Sequence, residues 1–250
     1  MKIEKSKKGE LTTQQIIMII ILIISFVVLL YFIFRLNPGE TSSKQICYNS
    51  VALVGKGQGL TGSLDCKTNY LCLSGGDNCK EFNPTTTVKV DTTKKDEVLK
   101  ALTDEISDCW WMFGEGKIDY MGSSFLGGEV CGICSITKFD GEMQKQIPSI
   151  SYQELYDYMR TTKKTESEVY LHYIYSVNTL DAFKDFYLAN YLGNKIDTSK
   201  EYFILTGISK KPVWRWFTLT GVNNIPVTIL EKTTENYNAI GCDEFITKAS

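Results

Sequence analysis

An unbroken apolar run dominates the start of the chain: 18 of the 19 positions from Ile16 to Phe34 are apolar, and none is charged. At a helical rise of about 1.5 Å per residue, such a run spans roughly 28 Å, close to the hydrocarbon thickness of a bilayer. The pattern predicts a transmembrane helix over 16–34. A secretory signal has a shorter apolar core and small residues at its cleavage site. Here Arg35-Leu36-Asn37-Pro38-Gly39 follows instead, so the run reads as a retained anchor, with Pro38 and Gly39 expected to stop the helix at the membrane surface.

Past a juxtamembrane linker at 35–44 the periodicity changes. Residues 45–90 predict a small sheet: Val51-Ala52-Leu53-Val54, Tyr70-Leu71-Cys72-Leu73 and Thr86-Thr87-Val88-Lys89-Val90 read as strands between glycine-loaded turns. Gly57-Gln58-Gly59-Leu60-Thr61-Gly62 matches G-x-G-x-x-G, but no helix start follows to receive a pyrophosphate, so it reads as a turn. A helix is expected next, with Thr93 as N-cap and Val98, Leu102, Ile106, Cys109 and Phe113 on one apolar stripe up to Gly114. Asp104, Glu105 and Asp108 fall mostly off that stripe and read as a solvated face. Trp110 and Trp111 read as core aromatics against a disulfide.

From Ser149 the helical period returns. Ser151-Tyr152-Gln153-Glu154 is a capping box, Thr165 to Glu168 predicts a second helix start, and Leu180 to Tyr191 a third helix. Strands over Tyr202–Leu205, Val213–Leu219 and Val227–Leu230 then make an antiparallel meander signature, with Trp214 and Trp216 on one face of the middle strand. The expected class is therefore an α+β ectodomain behind one N-terminal transmembrane helix: a basic tail at 1–15, the anchor at 16–34, the linker at 35–44, a Cys-rich α+β region at 45–148, and helices followed by antiparallel strands at 149–250.

Charge gives the anchor a direction. Lys2, Lys5, Lys7 and Lys8 precede it, against only Arg35 and Lys44 just beyond it. The positive-inside rule then places the tail in the cytoplasm and the large domain outside. Taking those four lysines, with Glu4 and Glu10, from the totals of 27 basic and 29 acidic residues leaves 23 and 27 beyond the tail, a net charge of −4. A body of that charge is a poor nucleic-acid binder, because phosphate neutralisation needs clustered Lys and Arg. The expected partners are the lipid bilayer and other surface proteins or identical subunits.

All eight cysteines, Cys47, Cys66, Cys72, Cys79, Cys109, Cys131, Cys134 and Cys242, lie beyond the anchor, as a disulfide framework in an oxidising compartment would place them. The expected bridges are Cys72–Cys79, Cys47–Cys66, and Cys109 with Cys131 or Cys134. Cys131-Gly132-Ile133-Cys134 also matches the CxxC of thiol-disulfide oxidoreductases, although the residues after it alternate like a strand where a redox motif opens a helix. No second close pair completes a zinc site. His172 is the single histidine, and it reads as a hydrogen-bonded structural group. No HExxH, EF-hand, Walker A or GxSxG segment is present, and no cofactor, metal or catalytic residue is expected.

Two resemblances add to this reading. Lys7-Lys8-Gly9-Glu10-Leu11-Thr12-Thr13-Gln14, leading into the apolar run, resembles the class III signal of archaeal type IV pilin-like proteins, with Glu10, Thr12 and Gln14 standing where that signal has Gln, Ser and Glu. The resemblance implies processing between Gly9 and Glu10 and assembly of the apolar helices into a filament core. The segment 109–117, Cys-Trp-Trp-Met-Phe-Gly-Glu-Gly-Lys, is similar to that of uncharacterised single-pass archaeal membrane proteins, which implies no activity. Three functions follow: an anchored surface protein with a structural or interaction role, a pilin-like subunit, or an extracytoplasmic oxidoreductase using Cys131 and Cys134.

Overall fold

The computed structural model describes residues 13–35, 38–57, 64–121, 128–176, 195–210 and 222–249. The chain divides into two units, Met1–Ser42 and Ser43–Ser250. Helix α1, Thr13–Arg35, belongs to the first. Its apolar residues come from all sides of the helix, and from Ile16 to Val28 the large ones are 45% to 68% exposed. Described side chains run without a break only from Gln14 to Val28. Among the described residues, no helix is long and apolar enough to cross a membrane.

Helix α2, Pro38–Lys56, replaces two expectations. α1 ends at Arg35, before Pro38, as expected, but Pro38 then opens a new helix, because a first-turn proline lacks only an N–H that would have no partner there. Residues 38–44 are therefore helix rather than linker, and Val51 to Val54 are helix rather than strand. The four-residue apolar run was too short to separate the two states.

The second unit is built on a mixed sheet of β1 (Lys67–Ser74), β2 (Thr86–Lys89), β3 (Gly128–Phe139), β6 (Tyr202–Lys210) and β7 (Val222–Glu231), in the order β2-β1-β3-β6-β7. β1 runs parallel to β2 and β3, whereas β6 is antiparallel to β3 and β7. One sheet thus joins the two regions that the sequence separates into a small Cys-rich sheet and a terminal meander. The pairing of β6 with β7 is the antiparallel part of that expectation; residues 213–219 lie outside the described residues.

Helix α3, Lys95–Met112, connects β1 and β2 to β3 and buries Val98, Leu102, Ile106 and Cys109, with Phe113 at its C-cap. Gly114 follows at φ +78, a conformation that glycine adopts without a Cβ clash. The helix begins at Lys95 without a side-chain cap; Thr93 instead turns back to Asp91, which accepts from its N–H and hydroxyl. Helices α4 (Gly141–Gln146), α5 (Tyr152–Thr161) and α6 (Tyr170–Tyr175) complete the core, and the capping box of Ser151 and Glu154 is present. Residues 162–169 form a turn closed by a Lys163–Val169 bridge, so the helix expected from Thr165 through His172 and Tyr173 begins only at Tyr170, as α6. Tyr152 and Tyr175 donate their hydroxyls to the carbonyls of Ile229 and Val227, tying α5 and α6 to β7. A pair of short strands, β4 (Ser149–Ser151) and β5 (Lys195–Asp197), sits beside α5.

On the opposite face, Tyr70, Ile136 and Phe203 stand in register across β1, β3 and β6 and join a second apolar cluster. The chain ends with α7 (Thr234–Ala239), β8 (Glu244–Phe245) paired to β3, and β9 (Lys248–Ala249) paired to β1.

Candidate functional site

The cysteines form four bridges, Cys47–Cys66, Cys72–Cys79, Cys109–Cys134 and Cys131–Cys242, and none is free. The two fully specified pairings from sequence are present, and Cys109 takes Cys134 of its two candidates. The CxxC lies inside β3, and its cysteines are not bonded to each other. In an extended strand, side chains three positions apart point to opposite faces. Cys134 accordingly meets α3, and Cys131 meets the C-terminal segment. A register shift between Ile133 and Ser135 makes Cys134 the extra residue of a β-bulge, which places Ile133 and Ile136 against the same cluster. Gly132 leaves room for Phe113, whose ring a Cβ there would overlap. Both sulfurs of the motif therefore serve as crosslinks between elements.

One of the acidic residues of α3 departs from expectation. Glu105 is buried, and Lys44 of α2 donates to Glu105 Oε2 at 2.7 Å and to Asp108 Oδ2 at 2.8 Å. Asn69 Nδ2 donates to Glu105 Oε1 at 3.4 Å, while Thr85 and Thr86 donate their hydroxyls to Asn69 Oδ1 at 2.6 and 2.8 Å. One polar chain thus joins α2, α3, β1 and the start of β2. Burial works to lower the Lys44 pKa, but the charges of Glu105 and Asp108 outweigh it and hold the ammonium well above its ordinary value. Asp104 sits apart, paired with Lys100 and accepting from Tyr170. Glu105 is thus the buried centre of a clamp, while Asp104 and Asp108, both partly exposed, keep the solvated character expected of them and add an ion pair each.

Other contacts close on the same helix. Cys47 and Val51 of α2 are fully buried, and Tyr48 stacks on Trp111 with ring centroids 4.5 Å apart. Trp110 is largely buried and Trp111 packs at the edge of the core. Gly55 approaches Ile118 so closely that a Cβ would overlap its side chain. The part of α2 from Ser43 onward is thereby bolted to the domain by a bridge, an ion pair and an aromatic stack.

Asp140 is a second polar hub. Its Oδ1 caps α4 by accepting from Met143 N–H, and its Oδ2 accepts from Ser74 Oγ, Gly76 N–H and Asp77 N–H. Burial opposes the charged form, yet the backbone of Met143, Gly75 and Asp77 and the Ser74 hydroxyl hold the carboxyl below its ordinary pKa. His172 Nδ1 lies 2.6 Å from Glu168 Oε1, a local pairing on the surface of α6. Among the described residues, no group of three or more His, Cys, Asp or Glu is arranged to hold a metal ion. Gly9, Glu10, Trp214, Trp216 and the expected helix at 180–191 lie outside the described residues, as does most of the G-x-G-x-x-G segment.

Compared with known proteins, the chain matches no family model, no curated protein and no solved structure. The bridges, ion pairs and hydrogen bonds of the second unit join elements of its fold to one another. Sequence reasoning missed Lys44, assigned to a linker, and Asp140, assigned no role. Pro38-Gly39-Glu40, with proline and an acid in a first turn, was the signal that could have found α2 and drawn attention to Lys44.

Proposed function

We propose that this is a single-pass surface protein: α1 lies in the bilayer with the tail inside, and the disulfide-braced α+β domain stands outside in a structural or interaction role. The observation that carries this reading is α1 itself, an apolar helix whose large side chains from Ile16 to Val28 all remain exposed. Exposed apolar surface on that scale is costly in water and marks a partner or a membrane. The lysines before the run support the direction, and four bridges support an oxidising compartment.

A membrane-impermeant amine reagent applied to intact cells tests this topology. The proposal expects label on the exposed Lys145 and Lys163 but none on the four tail lysines until lysis. Label on the tail before lysis, with a protected domain, would reverse the orientation. A second reading, a pilin-like subunit processed after Gly9, gains support from α2, because helix resumes at Pro38 beyond the apolar run. Finding Met1 or Lys2 at the mature N-terminus would remove it.

A further inference from the structure

The C-terminal segment is an added strand. It enters where β1 and β3 part, runs parallel to both, and bonds to each. Asp243 N–H donates to Glu129 O and Asp243 Oδ2 accepts from Glu129 N–H, both at 2.8 Å. Ile246 N–H then donates to Cys131 O at 2.9 Å, Thr247 Oγ1 accepts from Ile133 N–H at 3.0 Å, and Lys248 N–H donates to Cys66 O at 2.9 Å. No residue from Cys242 to Lys248 is fully buried; only Ile246 packs at the edge of the main core, and Phe245 stacks on exposed Tyr237. Main-chain pairing and the Cys131–Cys242 bridge therefore hold the segment, as in strand addition to a sheet edge.

The arm leading to this strand is held near its two ends, where Lys232 bonds and ion-pairs with Glu201 and Ile240 packs on the second apolar cluster, and between them by contact of Tyr237 with Phe203. Helix α7 buries no side chain, and Gly241 follows it at φ +75. If α7 unwound, the ten residues from Lys232 to Gly241 would reach roughly 33–36 Å when extended, far enough to serve a neighbouring molecule. We infer that Cys242–Ala249 is an exchangeable strand, that its slot between β1 and β3 accepts the same strand from a second copy of this chain, and that the Cys131–Cys242 bridge commits it to its own chain. A second copy is the fitting occupant because it carries the whole set the slot uses: a cysteine opposite Cys131, a carboxylate for Glu129 N–H and a hydroxyl for Ile133 N–H. An open slot would otherwise leave the β3 backbone from Glu129 to Ile133 as a bare edge, a ready template for another strand.

Complementary single-cysteine copies test this. Full chain carrying Cys131→Ser is mixed in detergent micelles with full chain carrying Cys242→Ser, under a glutathione buffer whose oxidised form accepts the two electrons and two protons that the thiols lose. The expected product is a heterodimer linked from Cys242 of one copy to Cys131 of the other, identified by mass spectrometry of the joined peptides. Adding Asp243→Ala and Thr247→Val to the strand donor should lower its yield by roughly tenfold or more, as loss of two pairing hydrogen bonds implies. Intact masses showing the other three bridges in both copies establish that each is folded. With those masses in hand, absence of the 131–242 crosslink overturns the inference. So does a crosslink insensitive to the two pairing substitutions, since free thiols colliding at random need no slot.

Discussion

At the scale of single residues, three positions carry weight out of proportion to their visibility in the sequence. Lys44 neutralises a buried carboxylate, so Lys44→Ala would leave Glu105 without its charge partner. Breaking a buried pair on one side costs about 3–5 kcal/mol, and Lys44's partial exposure puts the expected loss near the lower end in chemical denaturation. The double variant Lys44→Met/Glu105→Leu should recover most of that loss, because it leaves no buried charge stranded and Asp108, the other partner of Lys44, is reached by water. Gly132→Ala should destabilise by about 1–3 kcal/mol through displacement of the Phe113 ring. Asp140 predicts a pH effect whose sign follows from its depressed pKa. Its contribution is present above the unfolded carboxyl's ordinary pKa of about 4 and is lost as pH falls through the lower folded value. Stability measured from neutral pH downward should therefore fall less steeply in acid for Asp140→Asn, which starts lower at neutral pH. Sequence could place Glu105 beside the apolar stripe of α3, but it could not show that a lysine 61 positions earlier covers it.

At the scale of elements, legibility tracked how distinctive the pattern was. The α3 stripe recurs over several turns, the capping box of α5 pairs two specific side chains, and the runs that became β6 and β7 are rich in aromatic and β-branched residues. The segment Val51–Val54 is only four residues long, and its apolar side chains fit a helix as well as a strand. Thr165 to Glu168 shows how loosely a capping signal fixes a boundary: these residues form a turn, and the helix expected behind them begins at Tyr170. The parallel pairing of β1 with β3 joins residues 69 and 135 across α3, a long-range choice that neither strand encodes locally. In α2 the bridge is the firmest attachment. Replacing Cys47 and Cys66 together by serine should cost about 3 kcal/mol, the scale expected for closing a short loop. Hydrogen exchange should show the extra opening concentrated in residues 43–56, with α3 and β6 still protected.

For the molecule as a whole, the apolar run and the cysteines lead to one arrangement. A helix with exposed apolar sides calls for lipid or a protein partner, and a domain crossed by four bridges suits an oxidising compartment. Composition made both features legible, whereas the single mixed sheet and the clamp on α2 depend on contacts between distant segments. The most direct measurement is the intact mass of the chain extracted from washed membranes, alkylated before and after reduction. The proposed architecture predicts recovery in the detergent extract, no alkyl groups before reduction and eight after it. Recovery in the aqueous fraction, with thiols that alkylate without reduction, would contradict it.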